Sequence, residues 1–437
     1  MSPDVLGLLG LMSLFGFICV GFPISFTLIF LSLVLGWIGF GQVVFHLMTL
    51  QFFGVMTDTV LAAVPFFLFM GYILEDSGLM NRLFKAIQLL LARVNGSLYL
   101  AVTSTATIFA AATGIVGSSI TLLGVMAAPT MRESKYDTRL SAGCITAGGT
   151  LGILIPPSIM LVVMGPVVGV PVTELFAAAI LPGVLLAGLY MTYAMIRSWL
   201  NPSLGPALPE HLRATSMMVI LKEMVLGVIP VSVLILATLG SIMAGLATPT
   251  EGAAAGAAGA LILTSVYRRL TFEGFKRSMY RTLEISAMIL LLVAASNFFG
   301  AVFSRLGSAT LLTELLLGTH LSPTVLLVMI LALIFVLGWP LEWVPIVLII
   351  LPVLLPVVTE AGINLTWFSI LVAVTLQTAW LSPPVALSAY FLKGVVPEWD
   401  LRDIYAGMMQ FMGLQCIGAL LILFFPAIAT WLPTVWK

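Results

Sequence analysis

This sequence has very little charge. Asp, Glu, Lys and Arg together make up 8% of its residues and cancel to a formal net charge of zero. Without a basic excess there is no electrostatic footprint for nucleic acid, which needs clustered Lys and Arg. Cysteine is nearly missing. Cys19, Cys144 and Cys416 stand far apart inside apolar runs, so they read as small buried packing residues, and neither a disulfide framework nor a metal cluster is expected. His46, His211 and His320 are scattered, with no ligand spacing. No His-Glu-x-x-His pair, Ser-His pairing or paired Asp stands inside an apolar run, so an intramembrane enzyme is not expected. Asp4 is the only charge before Asp58 and no basic stretch precedes the first apolar run, so no cleavable signal is expected.

What remains is apolar. Of the 437 residues, 61% are hydrophobic, and runs of about 20 apolar residues, the length that crosses a bilayer, recur throughout. The chain reads as an all-α polytopic membrane protein. Spans are expected at Val5 to Val20, Ile24 to Phe40 and Leu61 to Leu74, with Gly41 to Asp58 as a connector. Arg82 to Arg93 has apolar residues near helical spacing and reads as a helix along the interface. Later spans are expected at Leu175 to Ile196, Met224 to Leu246, Ile285 to Phe303 and Tyr405 to Leu432. Thr248-Pro249-Thr250-Glu251 reads as a capping box opening one further span. Thr310 to His320 resembles a second interfacial arm, and residues 201–222 are a polar linker.

Two apolar stretches are interrupted where a helix should run on. Thr146 to Ser158 holds three glycines and the Pro156-Pro157 pair, and Thr378 to Val385 holds Pro383-Pro384. Proline removes a backbone donor and clashes with the preceding turn, so both helices should break there. Each broken helix (140–168 and 367–392) follows a hairpin candidate (97–131 and 322–358). The first hairpin should turn at Gly117 to Ser119, the second at Gly338-Trp339-Pro340-Leu341-Glu342. Pro129 and Pro156 stand 27 residues apart, as do Pro356 and Pro383, at an offset of 227 between the pairs. Residues 1–200 and 223–437 therefore read as two repeats. Basic loops alternate between them. Arg268 to Arg281 is basic while Gly41 to Asp58 has no Lys or Arg, and the reverse holds after the two hairpins. The positive-inside rule then makes the repeats inverted, with both termini outside.

Paired broken helices point to a transport site. Unwound backbone exposes carbonyls that suit a hard cation such as Na⁺, and the half-helix beginning at a break offers N–H groups to an anion. Ser118 and Ser119 hydroxyls with Gly152, Ile155 and Pro157 carbonyls are nominated for one ion site. Gly338, Thr375, Thr378 and Leu381 are nominated for a second. Gly117, Pro156, Ser158, Ser382 and Pro383 are nominated to face substrate. Each alone has a plainer reading as a kink or a packing residue. No Arg stands within the core of a span to clamp a carboxylate, so helix ends or a loop should do it.

Thr248-Pro249-Thr250-Glu251, the run Gly149-Thr150-Leu151-Gly152-Ile153-Leu154-Ile155-Pro156-Pro157-Ser158, and Ser382-Pro383-Pro384 together resemble the large membrane subunit, of DctM type, of TRAP transporters. The resemblance covers essentially the whole chain. It implies an elevator-type, Na⁺-driven importer of small organic acids in the bacterial inner membrane, with two Na⁺ sites. It also implies a small four-helix membrane subunit and a periplasmic substrate-binding protein as partners. In this chain Thr121 to Leu123 follow the hairpin serines, where the family more often has small residues. A stand-alone ion-coupled dicarboxylate or anion carrier of similar inverted design is the rival reading; it would need neither partner.

Overall fold

A computed structural model describes residues 3–436 apart from 215, 319, 320, 340, 384 and 385, and the backbone alone of 111–113 and 317. The expectations at His320, Pro340 and Pro384 lie outside the described residues. All regular structure among the described residues is helical. Among the described residues six helices are long and apolar enough to cross a membrane, and a bent pair, Ala63–Asp76 with Leu79–Leu90 at 62°, would make seven. Helix is what lipid demands, because each backbone N–H and C=O must find its partner within the segment. The outer surface is apolar too: Phe26, Trp37, Phe53 and Met56 are all exposed.

Most expected elements are present. Pro3–Val20 and Ile24–Phe40 fill the first two spans. The capping box forms: Thr248 Oγ1 accepts from the Glu251 amide at 3.2 Å, and Glu251 Oε2 accepts from the Thr248 amide at 2.8 Å. Leu79–Leu90 is the amphipathic arm, packed against Met217–Met243.

Several expectations are corrected. The connector 41–58 is largely a helix, Val43–Met56, which packs on Phe272–Arg305. The basic segment 268–281 is not a loop beyond Thr271. Thr271 Oγ1 caps the amide of Gly274, and Lys276, Arg277 and Arg281 ride on the 34-residue helix Phe272–Arg305. The linker gives way to helix at Met217. The last span is two helices, Leu401–Phe424 and Ala427–Val435, separated where Pro426 cannot continue the first. Of the three cysteines only Cys144 is buried; Cys19 and Cys416 are exposed on the apolar surface.

The two hairpins and two broken helices form the centre. The first hairpin is Ser97–Thr113 and Val116–Glu133. The second is Pro323–Leu337 and Trp343–Glu360, the latter with a π-type turn over Ile346–Ile350. The first broken helix is Thr138–Thr150 and Ile159–Val168; the second is Leu365–Ala379 and Leu387–Val395. The repeat is written in their bounds. Val116–Glu133 and Trp343–Glu360 begin and end 227 residues apart. Thr138 and Leu365 are likewise 227 apart, as are Val168 and Val395.

The packing is reciprocal. Ile159–Val168 packs on the second hairpin as well as on Ala63–Asp76 and Val172–Leu200 of its own half, and Leu387–Val395 lies on the first hairpin. Such an exchange is what a twofold relation between repeats produces. Thr150 and Gln377, mates at the 227 offset, are hydrogen-bonded at 3.0 Å, and mates that touch must lie beside the axis. The fold is thus all-α and polytopic, with two inverted-topology repeats, each carrying a hairpin and a broken helix.

Glycine makes the centre compact. Gly143 and Gly407 face one another between Thr138–Thr150 and Leu401–Phe424, and a Cβ on either would strike the other helix's backbone. Small residues at such a crossing let two helices meet backbone to backbone.

Candidate functional site

The first hairpin turns at Gly114 and Ile115, not at Gly117 to Ser119 as the sequence suggested. Gly114 has φ 60°, a left-handed conformation that suits glycine, and Ile115 is extended. Gly117, Ser118 and Ser119 belong to the first turn of the outgoing helix. Gly117 is there for packing: a Cβ would stand 2.8 Å from the ring of Phe391, which stacks on Trp380.

Between the hairpin tips lies a cavity of about 520 Å³, also walled by Ala63–Asp76 and Phe272–Arg305. Val116, Ile159 and Trp343 line it, each the first residue of a helix. Three helix N-termini therefore meet there, and each carries partial positive charge on its free amides. Arg281 adds a full charge. Its ion-pair contact, to Glu75 Oε1, is long at 4.0 Å, and the guanidinium lies over the Tyr72 ring at 5.7 Å. Glu75, Glu284 and Glu342 supply carboxylates, and Trp343, Trp380 and Phe391 supply aromatic surface. This set can hold an organic anion by its charged end and cover its body, with acid groups left to attract cations.

The nominated residues fall in different places. Ser118 lines the cavity and donates to Glu75 Oε2 at 2.7 Å. Ser119 is buried one position further into the helix. Gly152 sits in a 3₁₀ turn, 3.7 Å by its would-be Cβ from the Ala110 carbonyl and beside Gly114. Gly338 stands in the equivalent relation to Ala379. Each hairpin thus touches the end of its own broken helix. Ile155 is half-buried and its amide bonds the Leu151 carbonyl at 2.9 Å; Pro156 and Pro157, joined by a cis peptide, are buried. The Ser158 hydroxyl closes the break by donating to the Ile153 carbonyl.

In the second half, Thr375 and Thr378 are buried and donate to the carbonyls of Leu371 and Val374, each at 2.8 Å. Their hydroxyl protons are spent along the helix, which leaves oxygen lone pairs as the available groups. The Leu381 amide bonds the Thr378 carbonyl. Ser382 is buried, donates to the Ala379 carbonyl at 3.0 Å and accepts from Trp339 Nε1 at 2.8 Å. Pro383 is exposed.

A buried polar knot joins the two broken helices. Thr150 Oγ1 donates to the Ala147 carbonyl at 2.8 Å and accepts from Gln377 Nε2 at 3.0 Å and Gln415 Nε2 at 3.1 Å. All three side chains are fully buried.

Sequence reasoning missed Arg281, Glu75 and Glu284 as cavity residues, and it held that no arginine entered a span. The signal was there: Arg281, Ile285, Met288 and Ile289 follow helical spacing, and all line the cavity.

Broken helices meeting around a cavity within an apolar shell define a multi-pass membrane transporter. The chain belongs to the DctM component family of tripartite ATP-independent periplasmic transporters, which it matches over residues 11–428. It is similar to the C4-dicarboxylate TRAP transporter large permease protein DctM of Rhodobacter capsulatus, 28% identical over 432 residues, 95% of this chain and 96% of that one. It is equally similar to the sialic acid TRAP transporter large permease protein SiaM of Vibrio cholerae serotype O1, 28% identical with 96% of each chain covered. Among solved structures it shares its fold with the YdaH transporter of Alcanivorax borkumensis, at a TM-score of 0.65, 17% identity and 98% coverage of both chains.

Proposed function

We propose that this permease imports a small organic carboxylate through the cavity between the hairpin tips, coupled to Na⁺. The observation that carries the reading is the convergence of Arg281 and three helix N-termini on a cavity that also holds three glutamates. The cationic groups suit a carboxylate. The acidic excess opposes an anion entering alone, so a co-bound cation offsets it. The relatives' names support the anion: one names a C4-dicarboxylate and the other sialic acid, both carboxylates.

Two Na⁺ sites fit at the hairpin–broken-helix contacts. One draws on Ser119 with the carbonyls of Gly152, Ile155 and Pro157, and the other on Gly338, Thr375, Thr378 and Leu381. Ser118, committed to Glu75, belongs to the cavity wall instead. The repeats, 1–200 and 223–437, supply one site each, and their hairpins open to opposite faces. The Thr150 knot makes both broken helices one body, and that body slides against the outer helices in an elevator motion. A small four-helix subunit and a periplasmic binding protein complete the system in the bacterial inner membrane. Coupling requires that Na⁺ bind the substrate-ready state preferentially.

Uptake of labelled carboxylate into proteoliposomes, with both partners present, tests this. A Na⁺ gradient should drive accumulation that a K⁺ gradient does not. Equal uptake in K⁺ sinks the coupling. Undiminished uptake with both partners omitted would favour the stand-alone carrier.

A further inference from the structure

A second cavity, of about 330 Å³, lies outside the transport site, where the arm Leu79–Leu90 meets the turn after Pro249–Val266. Its charged lining is one-sided: Arg82, Lys85 and Arg269, with Asn81, Ser77 and Tyr267 between them. Among the described residues none of the three cations has an ion pair, whereas Arg132, Arg139, Arg277 and Arg281 each have one. Like charges gathered in one pocket repel, and an anion would relieve that repulsion. Arg82 is held in place, its guanidinium 5.4 Å from the centre of the Tyr267 ring, while the Tyr267 hydroxyl is tied to the Leu226 carbonyl. The cavity is thus a fixed recess, framed by two elements far apart in the chain.

Its surroundings are those of a lipid. Ile262 and Val266, four residues apart on one helix face, are 64% and 69% exposed and lead to Tyr267 and Arg269. Phe272, just beyond, is 82% exposed. An acyl chain lying along Ile262 and Val266 would bring its headgroup to the three cations. The basic residues of this end, Arg82 to Arg93 and Arg268 to Arg281, place it at the cytoplasmic face, whose leaflet carries the anionic lipids.

We infer that this pocket binds the phosphate headgroup of an anionic phospholipid from the cytoplasmic leaflet. Arg82 and Arg269 grip the phosphate oxygens, Lys85 adds charge, and Asn81 offers its amide. The lipid bridges the arm to the opposite repeat, because Arg82 and Lys85 belong to the arm while Arg269 follows Pro249–Val266. The site does not depend on what the transporter carries.

The test is native mass spectrometry of the full chain in detergent with phosphatidylglycerol, phosphatidylcholine or inorganic phosphate. Wild type should retain phosphatidylglycerol over phosphatidylcholine. A cation beside an anionic headgroup changes affinity about fivefold, so Arg82→Gln with Arg269→Gln should weaken retention roughly 30-fold. Arg402→Gln, which removes an exposed charge near the Arg139–Asp403 pair, should leave retention unchanged. If the double variant does not fold, Lys85→Gln and Arg269→Gln are read singly, each with about fivefold weaker retention. Equal retention in wild type and pocket variants overturns the site. Retention of inorganic phosphate without phosphatidylglycerol overturns the lipid as its occupant.

Discussion

Removing the guanidinium of Arg281 should weaken substrate binding without weakening the response to Na⁺. Arg281 lines the cavity, and its one ion-pair contact among the described residues, with Glu75 Oε1, is 4.0 Å long. That distance is beyond hydrogen-bond reach, so most of its donors stay open to a ligand. A hydrogen bond to a charged group contributes about 1.5–3 kcal/mol. The Arg281 side chain is 49% exposed, so water screens part of this, and the lower end, about 1.5–2 kcal/mol, is the fair figure. Arg281→Gln should then raise the apparent KM roughly 10- to 30-fold. Arg281→Lys keeps the charge but loses the planar fork, so it should fall between Gln and wild type. The matched control is Arg277→Gln, one helical turn back. Arg277 donates to both carboxylate oxygens of Asp76 at 2.7 Å and does not line the cavity. Its loss should leave KM within about twofold of wild type, since an exposed pair of this kind is worth little. The assay is initial-rate uptake in proteoliposomes across substrate concentration, at saturating and limiting Na⁺. An unchanged KM in Arg281→Gln, or an equal rise in Arg277→Gln, would refute the assignment of the anion to this cavity.

Three further outcomes are expected. Gly407→Ala drives a methyl into the carbonyl of Arg139 and should cost about 3 kcal/mol or more, read as a lower thermal midpoint; Gly413→Ala on the same helix meets open space and should not shift it. Thr150→Val leaves two buried amide groups without their acceptor, at about 1–3 kcal/mol each, whereas Thr150→Ser keeps the oxygen and should unfold close to wild type; equal midpoints for Val and Ser would show that the knot holds nothing. Thr378→Ala should raise the Na⁺ concentration for half-maximal uptake while Thr378→Ser restores it, and an unchanged Na⁺ response in the alanine variant removes Thr378 from the cation site.

The sequence disclosed the architecture because its strongest signals are local and doubled. Proline cannot continue a helix, so the breaks after Thr150 and Ala379 could be placed within a few residues. The equal spacing of two proline pairs disclosed the repeat for the same reason. The tip of the first hairpin was misplaced because Gly114 and Gly117 look alike in sequence and do different things. Gly114 supplies a positive φ, and Gly117 makes room for the ring of Phe391, a residue 274 positions away that only the fold brings near. Arg281 was assigned to a loop because hydropathy ends where charge begins, yet a helix capped at Thr271 runs on through its charged turns. The cap was readable, since Thr271 stands at the helix start with Glu273 in the first turn. What no local pattern could tell was which way that helix turns its face. Arg277 meets Asp76 and Arg281 meets the cavity, one turn apart on the same helix. That choice is made by the neighbouring helix Ala63–Asp76, whose Glu75 and Asp76 receive the two arginines in turn. The candidate site is therefore legible as a location, at the paired breaks, before its chemistry is. The breaks are written in single residues, and the charges that line the site are selected by helices from the other half of the chain.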